Sequence, residues 1–398
     1  MLSEQSAPVV RATLPVVGAA IGEITANFYA RLFDDRPELL RDLFNRGNQA
    51  NGEQQKALAG SIAAFATLLV EHPGCRPDTM LARIAHKHAS LGITSEQYKL
   101  VHQHLFAAIG EVLGDAVTPE VAAAWDEVYW LMANALIALE TRLYQDSGTP
   151  EGEVWRRMDV VERHEETPDT VSFVLRPADG TPAAAFRPGQ YVSVRTELPD
   201  GARQIRQYSL SGAPKDPTWR ITVKRVRADA GPAGEVSSWL HEHARPDDTL
   251  TVSAPFGDLV LPDDDGPLLL ASAGIGSTPM LSMLHHLAAT GSTRPVIVMH
   301  ADRTVADHAH RAEQRRLVKA LPNAELHLWY EELGESTPEA SAGLADPDSL
   351  DLPDGVTAYL CGPLPFMRAV RGDLLHRGLP AHAVHYEVFG PDLWLGAE

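Results

Sequence analysis

The hydrophobic period changes twice along this 398-residue chain, and those changes constrain its fold more than any other feature. Up to residue 145, apolar residues recur every three or four positions, which predicts amphipathic helices. A period of two follows and predicts strands with one buried face. From about residue 267, short continuous apolar runs are typical of parallel strands buried on both faces. The alternating segments are 154–161, 170–175, 190–195, 219–226 and 249–253.

These patterns predict a multidomain α and β protein. We expect an all-α domain over 1–145, an antiparallel β-barrel over 154–262 and an α/β domain with a parallel sheet over 263–398. Residues 146–153 are polar and rich in turn formers, so we place a linker there. The domain count fits the chain length, because a domain usually takes roughly 100–200 residues.

Charge and cysteine content limit the partners and the compartment. The chain has 34 Lys and Arg against 53 Asp and Glu, a net charge of −19, which argues against nucleic acids and anionic membranes as partners. Its two cysteines lie far apart and favour a reducing compartment. The N-terminus lacks a signal-peptide pattern, and the apolar run 62–70 is too short to span a bilayer. We expect a cytoplasmic monomer without stable membrane insertion.

Residues 206–209 form the first chemical motif. Arg206 can pair with phosphate oxygens, and Tyr208 points the same way along an extended strand while Ser209 faces the other side. A glycine-rich loop then opens a helix, and a helix N-terminus of this kind can bind phosphate. An ordinary edge strand and an ordinary loop would carry the same residues. The loop residues that open the helix are Gly234, Glu235, Val236 and Ser237.

Two further motifs follow buried strands. Gly274-Ile275-Gly276-Ser277-Thr278-Pro279 precedes an apolar helix and has two of the glycines of a dinucleotide fingerprint. Cys361-Gly362-Pro363 ends another strand, where open parallel sheets bind ligands. The alternatives are a tight strand-to-helix turn for the first motif and an inert core cysteine for the second.

The helical segment offers three candidate polar residues. His88 lies on the apolar stripe of an apparent helix, where a histidine is either an iron ligand or a hydrogen-bonded core residue. From the residues alone, the default interpretation of Tyr29 is a core aromatic. Glu140 lies among leucines, so its carboxylate needs a partner or a raised pKa. A histidine N–H would be a suitable partner.

The barrel pattern and the three motifs, in this order, resemble the ferredoxin–NADP reductase superfamily over about 155–398. The resemblance implies an FAD-binding barrel followed by a domain that binds NAD(P)H through residues 274–279 and 361–363. It also implies that Arg206 contacts the FAD pyrophosphate, Tyr208 packs on the isoalloxazine and Ser209 lies near flavin N5. The remaining FAD-binding residues that it implies are Gln207, the loop 234–237 and Tyr191, which matches within Arg187-Pro188-Gly189-Gln190-Tyr191.

A second resemblance covers the helical segment, which is similar to the globin domain of the flavohaemoglobin family. The C-terminal His385-Tyr386-Glu387-x-Phe389-Gly390-Pro391 matches the same family, so the combined resemblance extends over almost the whole chain. The matching residues in the helical segment are Phe28, Tyr29, Phe44, Asn48, Gln49, Asn51, Gly52, Gln54, Lys87, His88, Tyr98 and Glu140.

The flavohaemoglobin resemblance implies a role for each of these side chains. His88 would be the proximal haem ligand, with Tyr98 and Glu140 hydrogen-bonded to its other nitrogen. A carboxylate partner makes the histidine a stronger donor to iron. The remaining implied roles are a distal pocket of Tyr29, Gln54 and Leu58, a Phe44 packed on the haem, and a domain junction with Lys87, Glu387 and Phe389, of which the last two also belong to the FAD site.

The implied activity is nitric oxide dioxygenation, with electrons passing from NAD(P)H through FAD to haem b. Two alternatives use the same scaffold: a peroxide or quinone reductase, and a gas sensor whose reductase resets the iron. Nicotinamide preference stays open, because Asp302 suits a ribose hydroxyl while Arg303 suits a 2′-phosphate. The departures from the family pattern are Ser277 in place of glutamine, Val388 in place of cysteine, and the loop 330–348, which does not align.

Overall fold

The computed structural model describes residues 1–72, 74, 78–228, 232–334 and 339–391. By their contacts these residues form two compact units. The first holds Met1–Trp155 together with Arg195–Arg206, and the second holds Arg156–Val194 and Gln207–Phe389. A short piece of the barrel sequence, 195–206, therefore packs with the helices, which the linker prediction does not anticipate.

Seven α-helices within the described residues confirm the helical interpretation of the first part of the chain. Thr94 and Gln97 form a capping box at the start of one helix. Thr118 caps the next by accepting a hydrogen bond from the Val121 N–H at 3.3 Å, with Pro119 in the first turn. The helices are α1 (Ser6–Asp35), α2 (Pro37–Asp42), α3 (Arg46–Ala50), α4 (Glu53–Glu71), α5 (Asp78–Leu91), α6 (Ser95–Leu113) and α7 (Pro119–Asp146).

Helix α1 is the centre of the helical packing. It contacts α4, α6 and α7, while α5 packs on α7. Its buried residues include Ile24, Phe28 and Leu32, and burying such side chains stabilises the fold by roughly 1.5–3 kcal/mol each. Among the described helices, α1 is the one that by length and composition could also cross a membrane. A core helix of a soluble protein passes the same test, so the finding is weak evidence.

The second part of the chain folds as the predicted antiparallel barrel. Its six strands lie in the order β4-β3-β6-β1-β2-β5, and an isolated antiparallel bridge between Leu210 and Ile221 links the two ends of the sheet. Its interior is apolar, with Phe173, Val192 and Val252 buried. The elements are β1 (Trp155–Thr167), β2 (Thr170–Pro177), β3 (Tyr191–Glu197), β4 (Arg203–Ser209), β5 (Trp219–Lys224), α8 (Glu235–His243) and β6 (Thr249–Ser253).

The last part confirms the predicted parallel sheet. Its strand order is β10-β9-β8-β7-β11-β12. The chain therefore adds β8, β9 and β10 on one side of β7 and then β11 and β12 on the other side. This reversal between β7 and β11 is where open α/β sheets bind ligands. The elements are β7 (Leu268–Ala273), α9 (Ser277–Ala289), β8 (Val296–Thr304), α10 (Arg311–Ala320), β9 (Ala324–Glu332), β10 (Ala340–Ala342), β11 (Thr357–Cys361), α11 (Leu364–His376) and β12 (Val384–Glu387).

Candidate functional site

Three helices bring together a histidine, a tyrosine and a glutamate. The His88 Nδ1 atom on α5 lies 2.9 Å from both the Tyr98 hydroxyl and the Glu140 Oε1 atom. Tyr98 on α6 donates its hydroxyl proton to the same Glu140 oxygen on α7, at 2.6 Å. Because an ionised carboxylate only accepts, the arrangement assigns the histidine proton to Nδ1. That leaves Nε2 as the ring nitrogen that can bind a metal.

Burial keeps the tyrosine of this cluster neutral. Tyr98 is 7% exposed, and burial, followed by the charge of Glu140, raises its pKa far above the ordinary value. Tyr98 therefore stays a neutral donor at physiological pH. Glu140 is 2% exposed, and its partners explain how a carboxylate can lie on an apolar stripe. The partner that the sequence demanded is His88.

Two other histidines of the helical unit have carboxylate partners of their own. His102 Nε2 lies 2.7 Å from the Asp126 carboxylate, and its ring stacks on Phe106. His104 Nε2 lies 3.3 Å from Asp35. Within the described residues, no three His, Cys, Asp or Glu side chains converge to hold a metal ion. An iron at His88 would thus depend on one protein nitrogen, as a haem iron can.

A second cluster surrounds Tyr29 on α1. Its ring contacts those of Phe28, Phe33 and Phe44, with centroid distances of 4.8, 5.6 and 5.7 Å. Its hydroxyl shares a hydrogen bond with the side chain of Gln54, although burial still raises the tyrosine pKa. Tyr29 is thus both a core aromatic and a polar group with a partner on α4.

The helical unit keeps several apolar side chains only half-buried. They pack against its core; Phe44 lies in the turn between α2 and α3, and the others lie on α4 and α5. An apolar macrocycle such as a porphyrin needs a lining of this kind. These residues therefore fit a haem. They include Phe44, Leu58, Ile62 and Ile84.

Strand β4 carries the predicted flavin motif. Gln207 donates from Nε2 to the Ser193 hydroxyl at 3.0 Å, and Tyr208 packs half-buried against the barrel core. Arg206 donates from an Nη atom to the Ile205 carbonyl at 2.7 Å. The Ser209 Oγ atom is buried and has no hydrogen-bond partner among the described residues. A buried hydroxyl without a partner fits the prediction that a ligand atom lies beside it.

The loop before α8 has the shape of an anion site. Gly234 precedes the helix with no side-chain cap, and a helix N-terminus of this kind can bind an anion. A Cβ atom at position 234 would lie 2.5 Å from the Ser237 Oγ atom, so only glycine fits. Ser237 itself accepts from the Val226 N–H at 3.2 Å, which gives it a structural task. The motif residues Glu235 and Val236 form the first turn of α8.

The glycine turn after β7 reaches the end of β11. A Cβ atom at Gly276 would overlap the backbone carbonyl of Cys361, so the two motifs approach each other directly. Gly274 adopts φ +52°, a left-handed conformation that favours glycine. The Ser277 Oγ atom is buried without a partner among the described residues, and α9 begins at this residue. The turn therefore places the N-terminus of α9 at the reversal point of the sheet.

One basic residue at this turn was not predicted. The Lys224 ammonium at the end of β5 lies 3.7 Å from where a Cβ atom on Gly274 would stand. A cation beside a helix N-terminus favours a phosphate ligand. A single lysine after an apolar strand carries no signal in the sequence, because only the fold brings it to residue 274.

The ends of β11 and β12 place two other motif residues side by side. Cys361 is paired in register with Glu387 on one side and Ser272 on the other. Burial, with the charge of Glu387, raises the pKa of the Cys361 thiol well above its ordinary value. Cys361 is therefore a neutral thiol, while Pro363 begins the turn into α11. Phe389 is 46% exposed.

The two residues considered for nicotinamide preference differ in exposure. The side chain of Asp302 is 5% exposed, and its Oδ2 atom lies 3.7 Å from His300 Nε2. The Arg303 side chain is 67% exposed and pairs with Asp307 at 3.4 Å. Of the two, Arg303 is the one that an incoming ligand can reach.

Family profiles match three successive segments of the chain. They are the globin profile at residues 26–136, the oxidoreductase FAD-binding domain at 157–260 and the oxidoreductase NAD-binding domain at 270–372. The crystal structure of a flavohaemoglobin from Malassezia yamatoensis, with bound FAD and haem, superposes with a TM-score of 0.90 at 38% identity, covering 98% of this chain and 100% of that one. The FAD/NAD-binding domain of a nitric oxide dioxygenase from Vibrio cholerae is 35% identical, with a TM-score of 0.56 over 59% of this chain and 99% of that one.

Curated relatives match along the full length. A flavohaemoprotein of Rhizobium meliloti is 41% identical over 99% of this chain and 100% of its own length. A flavohaemoprotein of Chromobacterium violaceum is 42% identical over 98% of both chains. Identity of this level extends over nearly the whole chain, and this chain belongs to the flavohaemoprotein family.

Proposed function

We propose that this oxidoreductase is a nitric oxide dioxygenase that uses NAD(P)H, FAD and haem b to convert nitric oxide and O₂ into nitrate. The observation that carries the proposal is the buried hydrogen-bonded cluster of His88, Tyr98 and Glu140. The similarity to the Vibrio cholerae dioxygenase domain supports it. A free, buried Cys361 supports a reducing, cytoplasmic setting.

The cofactors supply the redox chemistry: the flavin takes a hydride and passes electrons singly to the haem. Conversion of nitric oxide to nitrate removes three electrons from nitrogen, whereas reduction of both atoms of O₂ takes four. One further electron is thus needed for each nitrate. One NAD(P)H, which delivers two electrons, should therefore support two nitrates.

The proximal cluster sets the donor strength of the histidine. Glu140 accepts a hydrogen bond from His88 Nδ1–H, and a carboxylate partner of this kind makes the other ring nitrogen a stronger donor to a metal. A stronger donor favours activation of a ligand over storage. Tyr98 donates a hydrogen bond to the same carboxylate and fixes its position. The ring of His88 therefore keeps one orientation.

The Tyr29 cluster would stabilise a polar ligand in the haem pocket. Its hydroxyl is neutral, since burial raises its pKa, and it shares a hydrogen bond with Gln54. A preorganised donor in an apolar pocket acts most strongly on groups that gain negative charge. Phe44 and Leu58 supply the apolar lining.

The reductase residues would bind and orient the two nucleotides. Arg206 and the N-terminus of α8 suit the FAD phosphates, while Tyr191, Gln207, Tyr208, Ser209 and Glu387 would contact the rest of FAD. The turn 274–279, with Lys224 beside it, suits the pyrophosphate of NAD(P)H. Residues 361–363 would border the nicotinamide at the sheet reversal.

Steady-state turnover tests the proposal. Purified protein is mixed with NAD(P)H, O₂ and nitric oxide, and nitrate is counted against NAD(P)H consumed. We expect two nitrates per NAD(P)H at a rate far above the reaction without protein. Fast NAD(P)H oxidation with peroxide or a quinone but slow nitrate formation would favour the reductase alternative. Slow NAD(P)H turnover under all conditions would favour a gas sensor.

A further inference from the structure

A closed ring of hydrogen-bonded side chains lies inside the second unit, between the barrel and the α/β domain. His310 Nε2 lies 3.0 Å from the Thr222 hydroxyl, which lies 2.9 Å from the Ser211 hydroxyl. Arg220 donates from Nε to Ser211 at 3.1 Å, and its Nη1 atom lies 3.0 Å from Glu313 Oε2. The same Glu313 oxygen lies 3.1 Å from His310 Nδ1 and closes the ring.

Neighbouring side chains extend the ring on both sides. Ser172 on β2 lies 3.3 Å from His310 Nε2, and Glu166 on β1 lies 3.3 Å from His310 Nδ1. On α9 of the α/β domain, His285 Nε2 lies 2.7 Å from Glu313 Oε1. Strands β1, β2 and β5 of the barrel are therefore tied to helices α9 and α10.

The backbone conformation of His310 indicates that the surrounding structure holds its side chain in one position. Its backbone has φ +59° immediately before α10, a conformation that non-glycine residues avoid unless the surroundings impose it. Its side chain is 2% exposed. Burial alone would raise the pKa of Glu313, but hydrogen bonds from His285 and His310, with Arg220, hold that pKa well below its usual range. The carboxylate thus stays charged inside the interface.

The hydrogen-bonded ring joins the barrel segment that follows Ser209 to the segment that follows β8. These two segments belong to the parts of the chain that would hold the flavin and the nicotinamide. Ser211 follows Ser209 by two residues, and Arg220 also donates to the Ser211 carbonyl at 2.6 Å. On the other side, His310 follows β8, which pairs with β7, the strand that leads into the Gly274–Gly276 turn. Hydride transfer needs reacting atoms about 3–3.5 Å apart and aligned. A rigid connection between these segments is one way to secure that approach.

We propose that His310 and Glu313 are positioning residues for hydride transfer, which hold the nucleotide-binding domain in register with the barrel strand that carries Ser209. The proposal rests on reduction of the flavin by NAD(P)H and not on the reaction with nitric oxide. Both residues would act through Ser211, Thr222 and Arg220.

Anaerobic stopped flow with NADH or NADPH, in the absence of nitric oxide, separates binding from hydride transfer. His310→Gly allows the left-handed backbone conformation and removes the imidazole side chain. Glu313→Gln keeps the side-chain volume and removes the charge. For both holoenzymes we expect flavin reduction at saturating nucleotide to fall at least tenfold, with the dissociation constant changed less than threefold. His310→Asn, which tolerates the backbone conformation and retains a donor and an acceptor, should recover part of the rate.

Two further measurements separate positioning from folding. Amide hydrogen exchange should rise at β5 and α10 but not in the helical unit, and the isotope effect with 4-deuterated nucleotide should increase. His164→Asn, which breaks an exposed His–Glu contact on the barrel, is the matched control and should change none of these. An unchanged saturating rate overturns the proposal. So does loss of FAD or of folding in both His310→Gly and Glu313→Gln. A wild-type protein that neither nucleotide reduces would instead contradict the proposed function.

Discussion

Tyr29 is the residue through which the pocket would discriminate between gaseous ligands. Tyr29→Phe should speed dissociation of O₂ from the haem pocket by roughly ten- to a hundredfold, because a hydrogen bond to a charged group contributes roughly 1.5–3 kcal/mol. Carbon monoxide gains less charge when bound, so its dissociation should hardly change. Stopped-flow exchange of the two ligands measures both rates.

Tyr144→Phe provides the matched control for this substitution. It removes another buried tyrosine hydroxyl, one that donates to the Ile93 carbonyl at 2.6 Å, and should leave both gas rates unchanged. An O₂ rate that does not respond to Tyr29→Phe would make Tyr29 a core aromatic only. Gln54 would then be the next candidate donor.

Lys224 is the residue that we expect to contact a phosphate of NAD(P)H. Lys224→Met should raise the KM for NAD(P)H by roughly tenfold, because a charge-assisted phosphate contact contributes roughly 1.5–3 kcal/mol. The rate at saturating nucleotide should change little, since the ammonium lies at the turn and not at a reacting atom. Steady-state kinetics at two salt concentrations measure the change and its screening. Lys215→Met, on an exposed part of the barrel, should alter neither value; equal effects would mean that Lys224 acts only through net charge.

Local sequence context predicted some site residues and could not predict others. Glu140 was marked as a carboxylate in need of a partner by its apolar neighbours alone, and His88 fills that role. Lys224 and His310 carry no such local sign. Lys224 lies beside Gly274, 50 positions along the chain, and His310 contacts Ser172, 138 positions away, so only the fold brings these residues together.

At the scale of elements, the first half of β4 is anchored to the helical unit. Asp42 at the end of α2 accepts from the Arg203 N–H at 3.1 Å and from its guanidinium at 2.6 Å. Gln204 is fully buried and donates to the backbone carbonyls of Arg41 and Phe44. These contacts explain why residues 195–206 belong with the helices.

The anchor has a pH dependence that can be measured. Hydrogen bonds from Arg41 and then Arg203 hold the pKa of Asp42 well below its usual value. Its stabilisation is therefore complete above the ordinary aspartate pKa of about 3.9 and is lost as the pH falls below it. Asp42→Asn should lower the free energy of unfolding by roughly 1 kcal/mol or less at neutral pH and flatten its fall in acid.

Chemical unfolding, followed by haem absorbance between pH 3 and pH 7, measures both values. Asp34→Asn, at an exposed position on α1, is the control and should retain the acid dependence of the wild type. An Asp42→Asn variant with the same acid dependence as wild type would mean that the pair with Arg203 contributes nothing to folding.

Element prediction succeeded where periodicity is long and failed where strands are short. The helix starts at Thr94 and Thr118 depend on capping chemistry that acts within four residues and is therefore visible in the sequence. Strands β10 and β12 span only three and four residues, too few to establish a period, and neither was predicted. The packing of 195–206 with the helices could not be predicted, because it depends on Asp42 and Gln204 meeting across the sequence.

At the scale of the whole molecule, the order of domains follows from the order of hydrophobic periods, but their dependence on one another does not. The metal-binding candidate lies on α5 in the first unit, whereas Tyr208, Ser209 and the α8 loop lie in the second. Each unit has its own apolar core. Loss of one cofactor should therefore leave the fold around the other intact.

His88→Ala tests that independence. The substitution removes the ring that Glu140 and Tyr98 orient, so the protein should lose haem, while FAD should remain bound and reducible by NAD(P)H. The visible spectrum of the purified variant should lack the Soret band and keep flavin absorbance in a ratio of one per chain. His102→Ala, whose ring pairs with Asp126 instead, is the control and should keep both cofactors. Haem retained in His88→Ala would mean that another histidine binds the iron, and His86 on the same helix would be the next candidate. Haem and FAD lost together would contradict the independence of the two cofactor sites.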